Sequence, residues 1–286
     1  VYYLLKVRYL RFDLINFHIA YPMLTYWHWL KVWFKKPVVI TEHWSAYHFN
    51  FGVQKKLTRI QRIFQQNIPI ISVSNVLVND IKHFANTDFP SFIIPNVVDE
   101  SLFFPNRNCV RESFYFMVSQ WNYPKNPFPA LSAFLRFNKE KDKVYSLKIA
   151  GYGNLWKDME KWVETNDDTN SIELLGSFTG QQIAEHLRKC IAFLHPSNYE
   201  TFSVVCAEAI TCGALVIAPN IGGLPEVING NGILLDTWNE DDWYQAVKLV
   251  SNKNNELVSG EGLGRFSIKR VGEEYFNVLS KIVSEV

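Results

Sequence analysis

Short apolar segments alternate with amphipathic segments along almost the whole 286-residue chain. Many of the apolar segments read as strands, for example "PVVIT", "SFYFMVS", "YSLKIAG" and "ALVIAP", and helical patterns such as "FPALSAFLRFNKE" lie between most of them. Strand–helix–strand alternation is the signature of parallel, doubly wound sheets. The sequence therefore predicts an α/β fold, and its length predicts two domains that each bury their own core.

The Asn-rich segment "NVVDESLFFPNRN" is the predicted joint between these domains. We expect an N-terminal domain over residues 1–104, a second domain over residues 105–270, and a C-terminal helix over residues 271–286. The first domain offers four strands but no Gly-rich first turn, with which such domains commonly open. We therefore expect the N-terminal domain to be incomplete, lacking its first one or two β-α units.

The formal net charge of +1 conceals a strongly basic N-terminal part. Residues 1–66 contain ten Lys and Arg but only two acids, a net charge of +8. Lys55, Arg59 and Arg62 fall at i, i+4 and i+7, a spacing that predicts one helical face. This face is either solvated or held near anionic lipid or a phosphorylated acceptor, and the sequence leaves both readings open.

The four cysteines show neither C-x-x-C spacing nor a histidine partner, so no zinc site or disulfide framework is indicated. A reducing, cytoplasmic setting is the expectation. No run of eighteen apolar residues occurs, and Lys6, Arg8 and Arg11 interrupt the opening segment. That segment is therefore not expected to be a membrane span or a signal peptide.

Two glutamates, Glu200 and Glu208, lie eight positions apart in "SNYETFSVVCAEAI". The pattern predicts a loop at Glu200 and a helix around Glu208, and eight helical residues rise about 12 Å. Paired glycosidase carboxylates are about 5–9.5 Å apart, so the acids suit two ends of one elongated ligand better than hydrolysis. The backbone N–H groups of Thr201, Phe202 and Ser203, at the expected helix start, would attract phosphate. The alternative is an ordinary helix acid beside an incidental one.

Further residues of the same kind follow other predicted strands. These are Lys125, Gly151, Gly153, Gly222 and Gly223. Because the carboxyl ends of parallel strands face one crevice, all of them are expected at one edge of the sheet. Glycine lets a backbone approach a ligand closely, and lysine supplies a point charge for phosphate. Together with the glutamates they indicate a site for a nucleoside diphosphate.

The ordered motifs "PNVVD", "AGYGN", "LLGSF" and "PSNYETFSVVCAEAITCGALVIAPNIGGLPEVI" resemble those of the GT-B glycosyltransferases of family 4. That family is retaining and uses nucleotide sugars, and the resemblance is strongest over residues 93–235. It implies the GT-B fold, with two Rossmann-like domains facing a cleft and the last helix crossing back to the first domain. There Phe276 and Leu279 would brace the hinge. It also implies a UDP- or GDP-sugar as the donor substrate, with no cofactor and no metal.

The resemblance also implies roles for individual residues. Glu208 would bind the ribose, Glu200 would lie beside the donor sugar and diphosphate, and Lys125 would neutralise the diphosphate. The backbone from Thr201 to Ser203 would contact phosphate and sugar. The segment "VVITEHWS" matches the part of the family that places a histidine against the donor sugar, which here is His43. A strand-end histidine that caps backbone is the alternative for His43.

Several neighbouring positions are assigned less specific roles. The loop from Gly176 to Phe178 would lie against the base, His18 stays open as an acceptor-side residue, and His195 is expected to support a strand end. The family often has a Gly-Arg pair where this chain reads Ser119–Gln120, so one diphosphate-neutralising charge is missing. Either Lys125 carries more of that load, or Arg265 or another basic residue substitutes.

The function implied is transfer of a sugar from a nucleotide sugar to a saccharide or lipid-linked acceptor, with retention, in cell-surface polysaccharide assembly of the bacterial type. Contact with a membrane surface is expected, and nucleic acid is not an expected partner. Two alternatives stay open. One is a GT-B protein that binds a nucleotide without transferring sugar, and the other is a GT-B nucleotide-sugar epimerase.

Overall fold

The computed structural model describes residues 11–22, 24, 36–106, 109–140, 145–252 and 264–285. The chain divides into two compact units, one formed by residues 1–96 with 269–286 and the other by residues 97–268. The division falls at residues 96–97, whereas the sequence analysis placed the joint at 104–105. The first unit is therefore built from two separate stretches of the chain.

In the described part of the first unit, four strands form one parallel sheet in the order β1-β2-β3-β4. The strands are β1 (Ile15–His18), β2 (Val38–Glu42), β3 (Ile70–Ser72) and β4 (Ser91–Ile93). Two short 3-10 turns, Ser45–Tyr47 and Asn50–Gly52, follow β2, and the helices are α1 (Thr58–Phe64) and α2 (Asn75–Ala85). Each of these strands overlaps one of the four segments that the sequence predicts as strands in this part of the chain.

The basic segment before β3 is only partly helical. Helix α1 begins at Thr58, so Arg59 and Arg62 lie on it while Lys55 precedes it. The prediction that all three share one helical face is wrong for Lys55, because Leu57 has non-helical backbone angles, φ −100° and ψ 59°, so the helix begins only after it. The three side chains are exposed, and contact with a membrane stays a prediction.

In the described part of the second unit, six strands form one parallel sheet in the order β10-β9-β8-β5-β6-β7. The strands are β5 (Phe114–Gln120), β6 (Ser146–Tyr152), β7 (Ile172–Gly176), β8 (Ala192–Leu194), β9 (Leu215–Pro219) and β10 (Gly232–Leu235). The helices are α3 (Phe128–Lys139), α4 (Trp156–Asn166), α5 (Gly180–Lys189), α6 (Val204–Thr211), α7 (Leu224–Ile228) and α8 (Glu240–Ser251). Strand β10 is one that the sequence analysis did not predict.

The core of the second unit forms around β5, whose first five residues are buried. Helices α3 and α8 cover this strand with Phe134 and Trp243, both fully buried. The hydroxyl of Tyr115 on β5 donates to the carbonyl oxygen of Val247 on α8 at 2.9 Å, so the polar end of this buried ring is satisfied. This packing holds the strands whose carboxyl ends carry the predicted site residues.

The C-terminal helix α9 (Ile268–Ser284) packs within the first unit. Its Val271 and Ile282 are buried in a cluster with Val39, Ile71 and Ile94 of the strands and the loop after β4, and Leu279 is packed against that cluster. Phe276, by contrast, is 72% exposed. The resemblance implied that Phe276 and Leu279 brace the hinge, but Phe276 lies on the solvent-facing side of this amphipathic helix, whereas Leu279 packs against the cluster.

Among the described residues, no helix is both long enough and apolar enough to cross a membrane.

Replacing Ile282 by alanine tests the contribution of α9 to the first unit. Ile282 is 4% exposed, so we expect the substitution to lower the free energy of unfolding by about 2 kcal/mol or more. The matched control is Phe276→Ala on the same helix, which should change stability by less than about 0.5 kcal/mol. Urea unfolding measures both. Equal effects of the two substitutions would contradict the packing.

Candidate active site

The loops that follow β5 and β8 are joined at the carboxyl edge of the second sheet. Lys125 and Ser197 form an antiparallel bridge, and the N–H groups of Asn126 and Asn198 donate to the carbonyl oxygens of Pro196 and Pro124 at 3.0 and 2.9 Å. The Lys125 ammonium group donates to Ser197 Oγ at 3.2 Å and also binds Glu200 Oε1. Lys125 and Glu200, which the sequence analysis expected at one edge, are therefore in direct contact.

Glu200 also accepts a hydrogen bond from a histidine. Nε2 of His195 lies 2.8 Å from Glu200 Oε1 and 3.2 Å from Ser203 Oγ. Burial raises the pKa of Glu200, but the hydrogen bond from His195 and the Lys125 charge outweigh burial and lower it to about 2. Burial lowers the pKa of His195, so its imidazole is neutral at pH 7. The site thus contains a permanent carboxylate between a cation and a neutral imidazole.

The turn from Glu200 to Ser203 leads directly into α6. Ser203 is the residue before the helix and has φ +74°, which is uncommon outside glycine. The ring of Phe202 is buried edge-to-face against Phe266 with 5.6 Å between ring centroids. The side chain of Phe202 thus anchors the turn. That the backbone of Thr201 and Phe202 contacts the donor stays a prediction.

Gly222 and Gly223 lie directly against this turn. A Cβ atom at Gly222 would overlap the carbonyl oxygen of Glu200, and one at Gly223 would overlap that of Thr201. The N–H of Gly223 donates to the Glu200 carbonyl oxygen at 2.7 Å. A ligand was expected to approach these glycines. The space that a Cβ atom would occupy is instead filled by protein backbone. A contact with the donor from another side stays a prediction.

Gly151 and Gly153 have a similar arrangement at the end of β6. Their φ angles are +121° and +147°, and a Cβ atom would overlap the backbone of Ser119 at Gly151 and of Trp121 at Gly153. The indole of Trp121 donates to the Ala150 carbonyl oxygen at 2.8 Å. These two glycines let the loop after β5 pack closely on the end of β6, and their predicted donor contact is untested.

Glu208 lies in the second half of the eight-residue helix α6 and is partly buried. Within the described part of the chain, its carboxylate makes no hydrogen bond or ion pair. Burial is the cause that raises its pKa, to about 7. The two glutamates of the motif therefore differ in state, because Glu200 is fully ionised at neutral pH and Glu208 is near its midpoint.

In the first unit, His18 is the last residue of β1 and His43 is the first residue after β2. Their rings are stacked, with centroids 6.1 Å apart. Burial, and next the charge of His18, lower the pKa of His43, while a hydrogen bond with Asn96 raises it. The net effect favours a neutral His43. Its predicted role at the donor sugar, and that of His18 on the acceptor side, stay predictions.

Glu42, immediately before His43, is a buried acid that the sequence analysis did not consider. Its Oε1 atom accepts from the N–H of Ala20 and from the hydroxyl of Tyr47, both at 2.6 Å. These bonds tie the segment after β1 to the segment after β2. The signal in the sequence was an acid at the end of an otherwise apolar strand.

Gln120 and Arg265 concern the positive charge that is missing because Ser119–Gln120 replaces the family's Gly-Arg pair. Gln120 is exposed at the end of β5 and carries no charge. Arg265 donates to the carbonyl oxygens of Glu226 and Val227 at 2.7 and 3.0 Å and lies over the ring of Phe266. Arg265 therefore binds carbonyl groups of the short helix α7, and its suggested role at the diphosphate stays a prediction. Among the described residues, no group of three or more His, Cys, Asp or Glu could hold a metal ion.

The fold agrees with that of solved glycosyltransferases. The HepE protein of Anabaena, solved in complex with UDP, superposes with a TM-score of 0.79 at 16% identity, covering 98% of this chain and 81% of that one. A glycosyltransferase from Rickettsia africae gives a TM-score of 0.77 at 14% identity, covering 100% of this chain and 80% of that one. The two parallel sheets are thus those of the GT-B class, and the chain is a glycosyltransferase of GT-B type.

The family follows from the sequence comparison. The family model described as Glycosyl transferases group 1 matches residues 99–259, more than half of the chain, so the chain belongs to that family. The model described as Glycosyltransferase Family 4 matches residues 2–102. The resemblance noted from the motifs is thereby confirmed.

Named relatives extend over different shares of the chain. An uncharacterised glycosyltransferase of Methanocaldococcus jannaschii is 27% identical over 277 residues, which is 96% of this chain and 76% of the relative. The Gpi3 subunit of phosphatidylinositol N-acetylglucosaminyltransferase from Schizosaccharomyces pombe is 30% identical over 160 residues, which is 55% of this chain but 35% of the relative. The chain therefore spans about a third of the yeast subunit.

Replacing His18 by glutamine tests the pairing of the two histidines. Because the charge of His18 lowers the pKa of His43, its removal should raise the pKa of His43. An NMR titration of the imidazole resonances measures this shift. His48→Gln is the matched control, since His48 is paired with Asp80 and should leave His43 unchanged. An unchanged or lower pKa of His43 in the His18 variant would refute the interaction.

Proposed function

We propose that the protein transfers a sugar from a UDP- or GDP-sugar to a saccharide or lipid-linked acceptor, with retention of anomeric configuration and without a metal. The observation that carries this proposal is the carboxylate of Glu208. It is partly buried, its pKa is raised to about 7, and it has no hydrogen-bond partner among the described residues. A carboxylate in that state costs free energy unless a donor reaches it. The paired hydroxyl groups of a ribose are suitable donors.

The diphosphate would bind between the two glutamates. As the sugar leaves, negative charge builds on the phosphate, and a cation together with backbone N–H groups stabilises that charge. Lys125 is the cation that lies beside the turn, through its contact with Glu200. The backbone from Thr201 to Ser203 leads into helix α6, whose N-terminus carries partial positive charge. These groups supply the charge stabilisation that a metal provides in other transferases.

The sugar would lie beyond the diphosphate, next to Glu200. Lys125 and His195 both bind Oε1 of this residue, so Oε2 is left to accept from a sugar hydroxyl. We propose that neutral His43 orients the sugar, as the family resemblance implies. Retention would follow if the acceptor hydroxyl attacks the anomeric carbon of the sugar from the same face that the phosphate leaves. No protein nucleophile would then take part.

The acceptor class rests on the named relatives. One relative is the fission-yeast phosphatidylinositol N-acetylglucosaminyltransferase subunit. Another is an O-antigen chain mannosyltransferase of Escherichia coli, 30% identical over 146 residues, 49% of this chain and 38% of the relative. We propose by analogy a saccharide or lipid-linked acceptor in the assembly of a cell-surface polysaccharide.

The pH dependence of donor binding tests the role of Glu208. Hydroxyl donors bind the ionised carboxyl group, so the affinity should be full above the pKa of about 7 and should fall below it. Titration calorimetry with UDP-glucose and GDP-mannose should show up to about tenfold weaker binding at pH 6 than at pH 8. Intact nucleotide sugars are the suitable probes, because a terminal phosphate of free UDP or GDP itself titrates near pH 6.

Glu208→Gln should weaken binding at pH 8 and remove most of its pH dependence. Glu164→Gln, an exposed acid on α4, is the matched control and should bind as the wild type does. If neither nucleotide sugar binds the wild type, or if Glu208→Gln retains full affinity, the proposed donor site is wrong.

A transfer assay tests the reaction itself. The protein is incubated with UDP- and GDP-sugars and with saccharide or polyprenyl-linked acceptors in the presence of EDTA. We expect a product whose anomeric configuration, read by NMR, equals that of the donor. Binding without any transfer would favour the nucleotide-binding alternative, and an epimerised nucleotide sugar would favour the epimerase. Lys125→Ala should slow transfer by about a hundredfold or more, and Lys157→Ala, an exposed lysine, should not.

A further inference from the structure

His195 is a deeply buried polar side chain of the candidate active site. It continues strand β8, since its N–H donates to the carbonyl oxygen of Ile217 on β9 at 2.9 Å. Its side chain is 2% exposed and faces Glu200 and Ser203. A buried polar group of this kind requires hydrogen-bond partners, and these two residues begin and end the turn before α6.

The direction of the hydrogen bonds follows from the chemistry of the partners. Glu200 at neutral pH is a carboxylate, which only accepts hydrogen bonds. Nε2 of His195, 2.8 Å from Glu200 Oε1, must therefore carry the imidazole proton. Ser203 Oγ, 3.2 Å from the same nitrogen, then shares that proton as a second acceptor. One N–H group thus contacts both residues.

Lys125 cannot substitute for His195 in this task. Both bind Glu200 Oε1, but the lysine ammonium ends a flexible four-carbon stem and carries the charge that a diphosphate attracts. When a diphosphate engages Lys125, the imidazole is the remaining partner of Glu200. The imidazole is rigid and fixed to the sheet through its own backbone, so it can hold the carboxylate in one orientation.

We propose that His195 is a positioning residue: its neutral imidazole holds Oε1 of Glu200 and the Ser203 end of the turn, so that Oε2 faces the sugar of the donor. This inference rests on the proposed function, because it assigns the donor sugar to Glu200. It differs from the expectation that His195 merely supports the end of a strand.

Two substitutions that differ only in reach test the proposal. Glutamine can place an N–H donor where Nε2 of the imidazole lies, whereas the shorter asparagine places it near Nδ1 and leaves Glu200 without it. We expect His195→Asn to bind the nucleotide sugar about tenfold or more weakly, and His195→Gln to stay within about threefold of the wild type. Calorimetry with UDP-glucose and GDP-mannose at pH 8 measures both, and thermal unfolding verifies that each variant is folded.

A double-mutant cycle with Glu200→Gln shows whether His195 acts through Glu200. If it does, His195→Asn should lower the affinity by less than about twofold in the Glu200→Gln background, because the effects of substitutions at coupled residues do not add. An equal loss in both backgrounds, or equal behaviour of the asparagine and glutamine variants, would overturn the inference. If the asparagine variant fails to fold, His195→Phe, which also lacks the donor, replaces it in the same cycle; if the glutamine variant fails to fold, the cycle alone decides. If the wild type binds neither nucleotide sugar, the proposed function fails first, which is a distinguishable result.

Discussion

The hydrogen bonds around the turn from Glu200 to Ser203 are the constraint on which the rest of the second unit's carboxyl edge depends. The backbone N–H of Gly223 donates to the carbonyl oxygen of Glu200. The side chains of His195 and Lys125 bind the carboxylate of the same residue. Because the turn is held in this way, Ser203 can keep a positive φ angle that costs free energy by itself. Three strand-end loops thus share one backbone segment, so a change in any of them alters the start of α6.

Much of the fold could be predicted from the sequence, because parallel strands buried on both faces appear as continuous apolar runs. Strands β1 to β9 each overlap a segment that was predicted as a strand. Strand β10 was missed, since "GILL" is short, follows Asn and Gly, and is mostly half-buried. The predicted helical face included Lys55, which lies before the helix, because periodicity alone does not show where a helix starts. Phe276 was misplaced for a related reason: an aromatic residue on a helix need not lie on its buried side.

The grouping of the site residues was also predictable, since the ends of parallel strands meet at one edge. Their partners were not. That His195 contacts Glu200 depends on how the chain turns after Pro196, and no periodic pattern carries that information. The glycines were recognised as positions of close approach, but the sequence does not say what approaches. At Gly222 and Gly151 the answer is backbone from another loop, which only the assembled sheet reveals.

The position of α9 has a consequence for the order in which the molecule is made. The second unit is one continuous stretch of chain, so its sheet can form as soon as that stretch has left the ribosome. The core of the first unit, by contrast, needs Val271 and Ile282 against strands that are synthesised much earlier. Its apolar surface around Val39 and Ile71 is therefore uncovered during most of synthesis. The first unit, although most of it is synthesised before the second, therefore completes its core later.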